Sequence, residues 1–217
     1  MPRVISVDRR RNGIVDLSVR RRAGVKGFQF KAASNWDGSF TLFASVPNHG
    51  LKSPTCPEAA YGYGRYDHVV RFLFNPADYT TGVPAVKDDT PFYILAAPIN
   101  DDGSVGPDEA IHVVLPYNSA PNRSFVMSGT VPIGAALANS IEIQLPQNCN
   151  DFDISNDGAA NLYVAFERPG AEYLIQPTST TFKSFEQTFT NVNQIFLRGA
   201  GGSTTVSIAF TIRNNPL

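Results

Sequence analysis

The sequence is poor in charged residues and has no long apolar run. Asp, Glu, Lys and Arg make up only 17% of its 217 residues, below the roughly 25% that is usual in globular domains. Hydrophobic residues make up 42%, which is too many for a disordered chain. No apolar run approaches the roughly 18 residues of a membrane span, so we expect no membrane partner. The segment Met1–Val4 lacks an apolar stretch of signal-peptide length, so we expect no secretory export.

Cysteine is almost absent. Cys56 and Cys149 are 93 residues apart, a spacing that matches no zinc or redox motif. A disulfide scaffold is therefore excluded. Two reduced thiols are favoured over one long-range disulfide, since export is not expected.

Motifs for catalysis and metal binding are also missing. The histidines are His49, His68 and His112, and no two of them have the short spacing of a metal site. His112 lies in a β-like run between two apolar residues, and we expect it to point outward. There is no G-x-S-x-G elbow and no Walker sequence. We therefore expect no enzyme activity, no cofactor and no metal.

Acidic residues occur mainly beside turn formers, where carboxylates bond the local backbone. The segment Asp153–Gly158 matches the first six positions of an EF-hand loop, with oxygen-bearing side chains at positions one, three and five. Position twelve is Val164, so the bidentate carboxylate of a calcium loop is missing. A hairpin turn is the favoured interpretation of this segment.

What the chain has in quantity is turn residues and period-two alternation. It contains 17 Gly and 16 Pro, and helical patterns are nearly absent. Apolar residues alternate with polar ones in short runs typical of strands: Phe40–Val46, Val70–Phe74, Ile111–Leu115, Ile141–Leu145, Leu162–Phe166, Ile195–Leu197 and Val206–Ile212. Asp-Gly and Gly-Gly turns separate them. The pattern predicts an all-β fold.

The segment Leu115–Arg123 breaks this pattern. It follows a clean strand, has no apolar periodicity and contains two prolines, as a short stiff linker does. We therefore predict two consecutive β-sandwich domains, Ig-like or jelly-roll-like, at residues 1–117 and 118–217. The alternative is a single jelly-roll with a long crossing loop at this point.

Charge is unevenly distributed along the chain. Residues 1–31 carry nine bases and two acids, a net charge of +7, and the remaining residues carry −8. The six arginines that form two triplets are Arg9, Arg10, Arg11, Arg20, Arg21 and Arg22. Docking onto an acidic protein surface is favoured over nucleic-acid binding, because no helix is predicted to enter a groove. The remaining alternative is a solvated face whose arginines pair with the chain's own acids.

A long loop from Gly50 to Tyr66 carries Tyr61, Tyr63 and Tyr66 among glycines and prolines. Tyrosine gives contact surfaces rigid amphipathic area at low entropy cost, so this loop is a candidate for partner contact. The alternative is a crossover that packs on its own sandwich.

Two resemblances extend these expectations. The stretch Phe92–Ile99, with Asn100–Gly103 and Ile111–Val114 after it, resembles the last hairpin of a fibronectin type III or immunoglobulin-like domain. Trp36 departs from that family, since it lies in an Asn-Trp-Asp-Gly turn rather than in an apolar strand.

The second half is similar to small β-sandwich proteins of tailed bacteriophage particles. The resemblance rests on Ile154–Phe166, on Ile195–Arg198 and on the Gly199–Ser203 turn with the strand after it. It implies a virion structural protein, assembled in the host cytoplasm, most plausibly a capsid decoration or cement protein. Its partners would be the major capsid protein or other virion proteins, with the chain as a homo-oligomer on the particle. The alternative is a tail-associated or carbohydrate- or receptor-binding module.

Overall fold

A computed structural model describes the chain at residues 4–9, 13–20, 23–48, 51–52, 69–76, 91–108, 110–115, 123–166, 172–177, 183–185 and 192–212. Regular structure in these residues is β-strand except for the short 3-10 helix Leu137–Asn139 and a 3-10 residue at Pro76. The predicted all-β sandwich class is confirmed. In the described part of the chain, no helix has the length and hydropathy to cross a membrane.

The chain divides into two compact units. The first comprises Met1–Ser34 and Gly38–Asn118, and the second comprises Asn35–Asp37 and Ser119–Leu217. The second unit therefore includes a three-residue turn from early in the sequence.

The first unit consists of two packed sheets. Its strands are β1 (Val4–Arg9), β2 (Val15–Arg20), β3 (Val25–Ala33), β4 (Thr41–Pro47), β5 (Leu51–Lys52), β6 (Val69–Phe74), β7 (Phe92–Asn100) and β8 (Ile111–Val114). One sheet has the order β1-β2-β6-β5, and the other contains β4, β3, β7 and β8 as successive neighbours. All these pairs are antiparallel except β5 with β6.

Phenylalanine rings fill the space between these two sheets. Phe72 lies 5.5 Å from Phe30 and 4.9 Å from Phe74, measured between ring centroids. Phe43 adds a ring 5.1 Å from Phe74. Alternate residues of β2, β3, β6 and β7 are fully buried in the same cluster. Offset aromatic contacts of this kind add to the stabilisation from burial itself.

The alternation predicted for β4 is wrong at one end. Phe30 pairs with Ala44 and Lys31 with Leu42, so Phe43 is an extra residue in a β-bulge. A bulge changes which side chains face the core. As a result Phe43 packs against the core, while Leu42 is 47% exposed.

The second unit is built around one long strand. Its strands are β9 (Arg123–Val131), β10 (Ile141–Asn156), β11 (Asn161–Ala165), β12 (Tyr173–Ile175), β13 (Lys183–Phe185), β14 (Val192–Ala200) and β15 (Thr204–Ile212). The first part of β10 pairs with β14. Strand β14 also pairs with β11, and β11 pairs with β12. The second part of β10 lies between β13 and β15, and β15 pairs in turn with β9. Strand β10 thus joins the two sets of paired strands in one branched sheet.

The predicted alternation of the last strand is confirmed. Val206, Ile208 and Phe210 of β15 are buried. The Phe210 ring lies 5.8 Å from that of Phe125 and 6.2 Å from that of Phe152. The inward side of β15 therefore forms the centre of this unit's core.

Two of the predicted turns depend on glycine. Gly103 and Gly201 have φ values of 89° and 83°, a left-handed backbone that other residues adopt only with strain. Gly103 closes the turn after β7, where the Gly103 amide donates to the Asn100 carbonyl at 2.9 Å. Gly201 lies in the turn that joins β14 to β15.

Candidate functional site: an uncharged face of the second unit

The described members of the two arginine triplets lie at opposite ends of strand β2. Arg9 pairs with Val15, the first residue of β2, and Arg20 is its last residue. Five residue steps along a strand span about 17 Å. Arg20 is exposed, whereas the placement of Arg10, Arg11, Arg21 and Arg22 lies outside the described residues. Arg9 and Arg20 therefore do not meet at one point on this strand.

An acid of the basic segment pairs with an arginine from outside it. The Arg71 Nε donates to Asp16 Oδ1 at 2.7 Å, and its Nη2 donates to Oδ2. Asp16 is only 8% exposed, so this bidentate pair neutralises a buried carboxylate. The contact belongs to the internal structure of the first unit.

Several predicted positions fall outside the described residues. They include the tyrosine loop and three of the residues weighed for metal or disulfide chemistry: Tyr61, Tyr63, Tyr66, Cys56, His49 and His68. Cys149 lies in β10, where it pairs with both Val192 and Ile212.

The prediction that His112 points outward is wrong. His112 shares the inward side of β8 with Val114, which belongs to the first unit's core, and it pairs with Ile94 of β7. It is 7% exposed, and desolvation lowers its pKa to about 3. The error arose because both sides of β8 are buried, so alternation could not identify the outer one. A neutral, buried imidazole offers no proton to an external substrate at pH 7.

In the segment Asp153–Gly158, side-chain oxygens form hydrogen bonds with other groups of the chain. The hydroxyls of Ser155 and Ser207 donate to the two oxygens of Asp157 at 2.8 and 2.7 Å. Asn156, fully buried, accepts from Thr204 and Gly158 and donates to the carbonyls of two further residues, Ala160 and Ile175. This network fixes the turn between β10 and β11. Across the described residues, no group of three or more His, Cys, Asp or Glu side chains is placed to hold a metal ion.

A second polar cluster lies beside the paired strands β11 and β14. Arg198 of β14 donates through Nε and Nη2 to the Glu172 carboxylate at 2.6 and 2.8 Å, and through Nη1 to the Gly134 carbonyl at 3.0 Å. Its guanidinium also lies 4.0 Å from the centroid of the Tyr163 ring. Hydrogen bonds from Arg198 lower the pKa of Glu172 and raise that of the guanidinium. Because Arg198 is 9% exposed, we interpret the cluster as a structural cross-link.

A further surface of this unit is the outward side of β9 and β15. The two strands are paired in register along their whole length, from Arg123 with Ile212 to Val131 with Thr204. We call the outward residues the β9–β15 face: Ser124, Val126, Ser128, Thr130, Thr205, Ser207, Ala209 and Thr211. None of these eight residues is charged, and all have small side chains; two acids lie beside the face, Asp153, which pairs with Ala209, and Asp157, which accepts from Ser207. Val126 at its centre is 68% exposed, the largest exposure given for a large apolar residue in the described chain.

Sequence reasoning did not single out the β9–β15 face. The alternation that placed Val206, Ile208 and Phe210 inward also placed small residues outward, so the signal was present in β15. Nothing in the sequence of β9 shows that it pairs with β15, more than 70 residues later.

Comparisons with known proteins do not identify the chain. No protein-family model matches the sequence, and no curated protein is detectably similar to it. A solved structure of α-L-rhamnosidase from Dictyoglumus thermophilum aligns with 93% of this chain at 8% identity and a TM-score of 0.29. The chain spans 23% of that protein. A similarity this low carries no argument about fold or activity.

Proposed function

We propose that the chain is a structural protein of a bacteriophage virion, a capsid decoration or cement protein that binds the head surface and stabilises the shell through protein–protein contacts. The observation that carries the proposal is the uncharged β9–β15 face with the exposed Val126 at its centre. Charged residues are depleted at the centres of protein interfaces, where removal of charge from water is costly. A flat face of small side chains allows close approach of a partner surface.

The size of this face favours a role in a many-copy assembly. A pair of nine-residue strands covers an area on the order of 300 Å², and a stable interface buries about 800 Å² on each partner. The β9–β15 face alone is therefore a weak contact. Repeated contacts on a lattice of subunits give such a surface useful avidity.

The basic N-terminal segment supplies the second part of the proposal. Opposite charge across a contact sets orientation and raises the rate of encounter, and residues 1–31 carry a net charge of +7. In this proposal the arginine triplets steer the chain to acids on the capsid surface, and the β9–β15 face forms the close contact.

The first test is substitution of Val126 by lysine. Purified chain is added to particles that lack it, and the bound copies are counted by mass spectrometry after sedimentation. We expect V126K to lower occupancy at least tenfold at subsaturating concentration, because it places a charge at the centre of the face. The matched control is V105K, since Val105 of the first unit is 46% exposed. Equal occupancy of V126K and V105K would contradict the assignment of the face.

A second test addresses the arginines. Glutamine at both triplets should weaken particle binding and flatten its dependence on salt, because fewer charge contacts remain to be screened. Unchanged occupancy at low salt would exclude the triplets from docking. The number of copies of the chain in native particles decides its location. Hundreds of copies per particle support a head protein, whereas a handful would support a tail protein instead. Absence of the chain from native particles would overturn the virion proposal.

A further inference from the structure

The only tryptophan of the chain fills a place that a glycine leaves open. Trp36 is 2% exposed and belongs to the second unit. The nitrogen edge of its indole lies where the side chain of residue 129 would begin. Because Gly129 has no side chain, the inward side of β9 has a slot between Met127 and Val131 that takes an aromatic ring.

The residue after Trp36 binds the backbone of the same strand. The Asp37 carboxylate accepts a hydrogen bond from the Thr130 amide at 2.7 Å. Among the described residues β9 pairs with one strand, β15, so Thr130 directs this amide away from the sheet. An aromatic residue followed by an acid thus matches both the slot and the sheet edge beside it.

This fit is incomplete. The buried Nε1 of Trp36 has no hydrogen-bond partner within the part of the chain that the structure describes. An unpaired buried donor opposes the stabilisation gained from burying the ring. Packing of the Asn35–Asp37 turn against β9 is therefore less stable than the burial of Trp36 suggests.

We propose that the turn Asn35–Asp37 is a displaceable strap, and that the slot it covers on β9 also binds the same segment supplied by a second copy of the chain. The occupant is specified by the observed contacts: a ring for the space over Gly129 and a carboxylate for the Thr130 amide. Exchange of the segment between copies links them without any new complementary surface. The inference does not depend on the virion function.

A peptide tests the slot directly. The probe is the capped heptapeptide of residues 34–40, added to the full chain carrying Trp36→Ala and Asp37→Ala. Since this variant has no tryptophan, all indole fluorescence comes from the peptide. We expect a saturable blue shift and at least tenfold slower hydrogen exchange at the Thr130 amide. A peptide with asparagine in place of aspartate should bind several-fold more weakly, because it lacks the charged acceptor.

The absence of a saturable shift in a folded variant would overturn the proposal; far-UV circular dichroism and protected amides in β15 establish the fold. The wild-type chain gives a second test should the variant fail to fold. In a displaceable strap, the Thr130 amide exchanges at least tenfold faster than that of Met127, which lies in the β9–β15 ladder. Exchange of both amides only with global unfolding would overturn the proposal as well.

Discussion

The two units are both built from β-strands but are stabilised by different interactions. In the first, the space between two sheets is filled by stacked phenylalanines around Phe72. In the second, buried polar side chains lie among the apolar ones, with Asn156 holding a turn and Arg198 bracing a sheet. Apolar packing is non-directional, whereas each hydrogen bond requires one geometry. In the second unit the networks around Asn156 and Arg198 therefore fix local geometry in a way that the phenylalanine packing of the first unit does not.

The largest expected effect tests the aromatic packing. Phe72→Ala removes a fully buried ring in contact with three others and should lower the free energy of unfolding of the first unit by about 3–5 kcal/mol. The measurement is hydrogen exchange at the amides of β3 and β7. Leu42→Ala is the control and should change the free energy of unfolding by less than about 0.5 kcal/mol, because Leu42 is largely exposed. Similar effects of the two substitutions would show that the aromatic cluster is not the centre of stability.

The next effect tests the polar interior of the second unit. Asn156→Ala leaves the Gly158 amide and the carbonyls of Ala160 and Ile175 without their partner, which should cost about 3 kcal/mol. Hydrogen exchange at the amides of β15, which pairs with both β9 and β10, measures it. Ser128→Ala, on the outward β9–β15 face, serves as the control. A loss below about 1 kcal/mol for Asn156→Ala would mean that the network adds little to stability.

The smallest effect comes from His112, one of the buried polar residues of the first unit. Its pKa is about 3 in the fold against about 6.5 in an unfolded chain, so between these values the unfolded state binds more protons. The contribution to stability is complete above pH 6.5 and is lost as the pH falls. From pH 7.0 to 5.5 we expect the wild type to lose about 1.3 kcal/mol more than His112→Leu does. Parallel pH profiles of the two proteins would contradict a neutral buried imidazole.

Alternation predicted the orientation of a strand correctly where one of its two sides faces solvent. In β15 the inward residues are large and the outward ones small, so its orientation follows from the sequence. Strand β7 is buried on both sides from Phe92 to Ala97, so alternation cannot show its orientation. Both sides of β8 are buried as well, and the direction of His112 was predicted wrongly for that reason. At Leu42 the pattern failed because the bulge at Phe43 cannot be read from alternation alone.

The sites were harder to predict than the strands. The sequence correctly placed Trp36 in a turn, but its burial depends on Gly129, 93 residues later. The β9–β15 face likewise exists only through pairing of distant strands. Charge asymmetry pointed to Arg9 and Arg20, yet the structure shows that strand pairing puts these two positions at opposite ends of β2.

The shared strand β10 also sets the order in which the second unit can form. Its second part pairs with β15 from Cys149 with Ile212 to Asn156 with Val206, and β9 pairs with the same strand. Strands β9 and β10 can therefore form their hydrogen bonds with β15 only after β15 has left the ribosome. Such long sequence separations slow folding. Until β15 is made, β9 and the second part of β10 lack this partner, and we expect their apolar sides to need protection by chaperones.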